Sequence, residues 1–129
     1  MRDYQRTKSN PYILPRNLWS QTLYQIRDYQ RLKEELAAVL DESAAPADGQ
    51  PRGTMTGDPV LSKVMKREKA GQTVKAIDDA KKEIPEEYID GVWRNIVYGS
   101  PYPLDASRST YSRYKSKFVY CVARNLFLV

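Results

Sequence analysis

Apolar side chains recur at Trp19, Leu23, Ile26, Tyr29, Leu32, Leu36 and Leu40, in steps of three and four. That period lays one stripe along a helix and not the alternating faces of a strand. A single amphipathic helix is therefore predicted from about Pro15 to Leu40, with proline tolerated in the first turn. Asp41 to Asp58 carries Pro46, Gly49, Pro51, Gly53 and Gly57 with no periodicity, which predicts a mobile linker or surface loop. A second helix should start with Asp58 as N-cap and Pro59 at its first position. Its stripe runs through Val64, Ala70, Val74 and Ile77 to Ile84, and Pro85 ends or kinks it. From Pro85 to Tyr98 the apolar positions Tyr88, Ile89, Val92, Trp93, Ile96 and Val97 describe a third, well-buried helix. After a turn at Gly99 to Leu104, a last helix is predicted from about Ser107 to Leu126, capped by Asp105 or Ser107. No strand candidate and no repeat stands out. The expected fold class is all-α, with three to four helices and a long Gly/Pro loop after the first.

Composition narrows the chemistry. The 129 residues are 41% hydrophobic and 29% charged, enough to fold as about one domain. There is no histidine, which removes the commonest general base and metal ligand. The lone cysteine, Cys121, excludes an internal disulfide and any multi-cysteine zinc site. An enzyme is the least supported reading, and no cofactor or metal is expected. The chain starts without a secretory leader, and no apolar run is long enough to span a membrane. Together with the unpaired cysteine, this points to a soluble protein of a reducing cytoplasm.

Charge adds a location. The net charge is +5, yet residues 1–98 are almost balanced. Residues 99–129 hold Arg108, Arg113, Lys115, Lys117 and Arg124 against Asp105 alone. At about 100° per residue, Tyr111, Tyr114, Phe118, Cys121, Val122 and Asn125 share one side of the last helix, as its packing face. Arg113, Lys117 and Arg124 fall opposite, beside Ser109, Thr110, Ser116 and Tyr120, with Arg108 and Lys115 at the border. A cationic stripe flanked by hydroxyls suits phosphate neutralisation and base-edge contact. A merely solvated face would mix signs.

The run Asp105-Ala-Ser-Arg-Ser-Thr-Tyr-Ser-Arg-Tyr-Lys-Ser-Lys-Phe resembles the start of the recognition helix in sigma-factor region-4-like helix-turn-helix proteins. The shared pattern, Ser-x-x-Thr-x-x-Arg, falls here on Ser107, Thr110 and Arg113. Upstream, Pro51-Arg-Gly-Thr-Met-Thr-Gly-Asp-Pro59 resembles a loop-to-helix junction of the phage RinA/ArpU family of late-gene regulators. The resemblance covers about residues 51–126. It implies a phage- or prophage-encoded transcription regulator in a bacterial host, with double-stranded DNA and host RNA polymerase as partners. Arg108, Ser109, Ser112 and Arg113 would then meet bases or nearby phosphates, with Ser116, Lys117, Tyr120 and Arg124 along the same face. One departure is that only Gly99 to Ala106, with Pro101 and Pro103, precedes the basic helix where such folds place a supporting helix.

The implied organisation is an N-terminal helix over 1–42, a loop over 43–58, and a DNA-binding part over 59–129. The first helix, Trp19 to Leu40, is the candidate dimer contact. Alternatives are a small-terminase-like packaging protein or a helical adaptor that binds protein and not DNA. The adjacent carboxylates Asp78-Asp79 and Glu86-Glu87 diverge on a helix and make no catalytic pair. Trp19, Trp93, Tyr111 and Tyr114 are expected in the core, and Tyr102 and Tyr120 at the surface.

Overall fold

The computed structural model describes residues 3–44 and 59–129. Among these, the chain is all-α: α1 (Arg16–Arg27), α2 (Tyr29–Ala44), α3 (Pro59–Lys81), α4 (Glu86–Tyr98) and α5 (Arg108–Asn125). The loop expected over 43–58 and its N-cap Asp58 lie almost wholly outside the described residues.

The first helix is in fact two. Neither glycine nor proline separates them; Asp28 simply ends α1, its N–H bonding Tyr24 O and Gln25 O. The cause is tertiary. Arg27 Nε donates to Ile96 O on α4 at 2.9 Å, whereas Tyr29 Oη donates to Asp78 on α3 at 2.5 Å. Two neighbouring residues are thus tied to different helices, and the axis breaks between them. α2 then runs on to Ala44, beyond the predicted end at Leu40, and α3 ends at Lys81, before the predicted Ile84.

The ends of α4 and α5 are locally encoded. Pro85 immediately precedes α4, whose first turn carries Glu86 and Glu87 at the positive pole of the helix dipole. Gly99 closes it in the left-handed region, φ 69°, which glycine adopts without a Cβ penalty. Ser107 caps α5: its Oγ accepts the Thr110 N–H at 3.1 Å.

One core unites both halves of the chain. Leu14, Trp19, Leu23, Ile26 and Tyr29 pack in the same cluster as Ile77, Ala80, Val92, Ile96, Phe118, Val119 and Val122. α5 lies at the centre, against α1, α3 and α4. Residues of the first helix and of the 59–129 part thus share this core. Of the stripe assigned to dimerisation, Trp19 to Leu40, the positions Trp19, Leu23, Ile26, Tyr29 and Leu32 are buried inside their own chain.

Aromatic rings fill the seams. Trp93 meets Tyr29 edge-on at 5.0 Å and Phe118 at 6.3 Å. Tyr102 stacks on Tyr111 at 5.3 Å, and Tyr88 stacks on Tyr114 at 4.8 Å. Tyr102, expected at the surface, is thus half-buried.

These seams carry a pH signature. Burial, with help from Asp78, pushes the Tyr29 phenol up to about 12. Donation to Asp105 at 2.5 Å does the same for Tyr111, up to about 12, and burial does so for Tyr102, up to about 12. The fold favours the neutral phenols, so their stabilisation is whole below the ordinary value of 10.0 and is lost as pH rises from there towards 12. In a phenolate absorbance titration, these tyrosines should ionise near pH 12 or together with alkaline unfolding. Reversible ionisation of all ten near pH 10 in the folded protein would contradict the packing.

Candidate nucleic-acid interface

Three side chains of the predicted face stand exposed at the N-terminal end of α5: Arg108, Ser109 and Arg113. No carboxylate occupies the first turn of this helix. The open end of a helix already attracts anions through its unpaired N–H groups and its dipole, and two guanidiniums reinforce it. Lys117, one turn beyond Arg113, is half-buried and continues the line.

A segment with no signal in the sequence pattern lies beside this face. Residues 3–14 form an irregular strap. Its conformation is held by Gln5, whose side chain both donates to Leu14 O (2.9 Å) and accepts from Leu14 N–H (2.8 Å). The indole N–H of Trp19 donates to Asp3 O. From the strap, Arg6 Nη1 donates to Ser112 Oγ at 3.2 Å, and the Tyr12 ring tilts against Tyr120 at 5.5 Å. Ser112 and Tyr120 are consequently half-covered, while Arg6 joins the cationic end as a residue that helical periodicity could not reveal.

Two further residues of the line behave differently from expectation. Ser116 is only 1% exposed and its Oγ has no hydrogen-bond partner among the described residues, so it is packed inside and does not belong to an interface. Lys115, placed at the border of the basic face, is 2% exposed, with Nζ 2.7 Å from Asn95 Oδ1. Both corrections have one cause. α5 packs on three other helices, so the arc open to solvent is narrower than a helix with a single packing face would show.

Arg124 is exposed but engaged. It bonds both carboxylate oxygens of Glu83 at 3.2 Å. The Cys121 thiol donates to the same carboxylate at 2.7 Å, and that bond, with the Arg124 and Lys117 charges, holds Glu83 below the usual carboxylate range. In return, burial and then Glu83 push the thiol up to about 11, the direction opposite to that of a reactive cysteine.

The usable surface is therefore the N-terminal half of α5 with Arg6 alongside. Its C-terminal half is a structural seam against the α3–α4 turn. Residues 99–107 form no helix, so no further helix stands between α4 and α5. Among the described residues, no group of three or more Cys, Asp or Glu side chains is placed to hold a metal ion. No helix there is long and apolar enough to cross a membrane. No protein-family model, curated protein or solved structure matches the chain.

Proposed function

We propose that this protein binds double-stranded DNA through the N-terminal end of α5 and acts as a phage- or prophage-type transcription regulator in the cytoplasm of a bacterial host. The observation that carries the reading is the exposed cluster of Arg108, Ser109 and Arg113 at the N-terminal end of a helix whose first turn holds no acidic residue, extended by Lys117 and by Arg6 from the strap. The N-terminal residues of a recognition helix are the ones that reach base edges in helix-turn-helix complexes. Burial of the middle of α5 favours end-on insertion over a helix laid lengthwise along the groove. Residues 99–107 form no further helix between α4 and α5, and the strap beside α5 supplies the flanking backbone contact. Arg124, held by Glu83, contributes little. Contact with host RNA polymerase belongs to the same regulatory reading.

Fluorescence anisotropy with labelled duplex DNA across a salt series tests this. Four phosphate contacts from Arg6, Arg108, Arg113 and Lys117 predict that log K falls with log salt at a slope of about −3.6. The Arg113→Ala/Lys117→Ala double variant should flatten that slope by about 1.8, and Arg6→Ala by about 0.9. Arg124→Ala should leave it nearly unchanged. Absence of binding at low salt, or a slope indifferent to Arg113 and Lys117, would overturn the proposal in favour of a helical adaptor for acidic protein partners. A ring-sized solution mass with DNA binding retained would favour a packaging subunit.

A further inference from the structure

The C-terminal end of α5 closes in an unusual way. Phe127 N–H bonds Arg124 O and Leu128 N–H bonds Ala123 O, the paired bonds of a Schellman closure. That closure places residue 127 in the left-handed region, where glycine normally sits, yet here it is phenylalanine with φ 59°. The ring gains nothing from its own chain in exchange: it is 92% exposed. Val129 beside it is half-exposed as well.

Next to this ring lies an open groove of about 410 Å³ between α3 and the end of α5. Gln72, Lys75, Ala76 and Asp79 form its α3 wall, and Arg124 to Phe127 its α5 rim. Lys75 and Asp79 are one helical turn apart on the same wall. Lys75 is exposed, and Asp79 makes only a long 3.8 Å pair with Lys82 among the described contacts. A helix face carrying opposite charges four residues apart is self-complementary. When a second copy approaches antiparallel, about a two-fold axis between the two positions, each Lys75 meets the other's Asp79. Phe127 borders the same groove, so its exposed ring lies within the face a second copy would cover.

We infer that this face, α3 from Gln72 to Asp79 with the closing turn of α5, is a homodimer interface in which two copies of the chain pair antiparallel. The occupant is a second copy because the charge pattern matches its own inverse. Arg124, which also lines the groove, is bonded to Glu83, so Lys75 and Asp79 are the charges left to set the pairing. Arg108 and Arg113 lie towards the other end of this 18-residue helix, roughly 18 to 26 Å along its axis from Asn125, and stay uncovered. The pairing thus stands or falls separately from DNA binding.

Sedimentation velocity of the full chain over a concentration series, without DNA, is the test. Wild type should move from monomer to dimer. Lys75→Glu and Asp79→Lys should each weaken the dimer by roughly tenfold or more, since each puts like charges together twice per dimer. The double variant Lys75→Glu/Asp79→Lys rebuilds both pairs in reverse and should return to near wild-type affinity. Phe127→Gly should also weaken the dimer by roughly tenfold or more. At concentrations where only monomer is present it should raise Tm, because it relieves the left-handed phenylalanine. A monomer at every concentration overturns the inference. So does a dimer indifferent to the single charge changes, a double variant as weak as the singles, or a Phe127→Gly protein with lowered monomer Tm.

Discussion

Gly91→Ala should destabilise the protein by about 2 kcal/mol, although the same change in the interior of an open helix would stabilise it by up to about 1 kcal/mol. Gly91 is buried in the middle of α4. A Cβ built there meets Pro103 Cδ and Tyr111 Cε1, both at 2.8 Å, and Pro103 Cγ at 3.0 Å. Neither obstacle is the free end of a flexible chain. The Pro103 ring belongs to the irregular 99–107 segment, and the Tyr111 ring is wedged between Tyr88 and Tyr102. One methyl group would therefore press the segment off α4 or tilt the tyrosine stack. The internal control is Gly71→Ala on α3, where nothing lies within 4 Å of the added carbon. That variant should gain up to about 1 kcal/mol, as helix propensity dictates. Thermal unfolding of the two separates them by sign, at roughly 4 °C per kcal/mol for a chain of this size. Equal shifts for both would mean that the 99–107 segment does not pack on α4 as described.

Lys115→Met should lower stability by about 2 kcal/mol without altering the exposed surface. The ammonium of Lys115 bonds Asn95 Oδ1 at 2.7 Å, and Asn95 Nδ2 donates to Ser100 O at 2.9 Å. A continuous relay thus links α5 through α4 to the segment that presents Arg108. Methionine keeps an unbranched apolar stem, one atom shorter, but cannot donate, so the buried amide oxygen of Asn95 loses this charged donor. Urea unfolding should show a lower midpoint with unchanged slope, the mark of lost stability without a change in compactness. Asn95→Ala/Lys115→Met should cost less than the sum of its parts, because both remove the same bond. Strict additivity would show that the two side chains do not act together. In the DNA titration, Lys115→Met should keep the wild-type salt slope that Arg113→Ala/Lys117→Ala flattens.

The helices themselves were legible because their signals are local. The steps of three and four in α4, the proline before it, Gly99 after it and Ser107 ahead of α5 each act within a turn of where they stand. Cys121 and Phe118 were legible for the same reason: they sit at the centre of the apolar arc. The break at Asp28 was not, because nothing in the residues themselves interrupts the helix. It arises where Arg27 and Tyr29 bond different helices. The strap was equally hidden, since its hold on α5 passes through Arg6 and Tyr12, which lie outside any periodic run.

The amino-acid sequence by itself determined that this chain is helical, where most of its helices start and stop, and that its positive charge gathers on the last of them. The tertiary structure decided which of those charges meet solvent. Periodicity ranks positions by their direction from one helix axis, but burial depends on how many neighbours surround that axis. With α1, α3 and α4 all packed on α5, Lys115 and Ser116 are enclosed and Arg124 is claimed by Glu83, while Arg108 and Arg113 stay exposed at the helix end beside the strap.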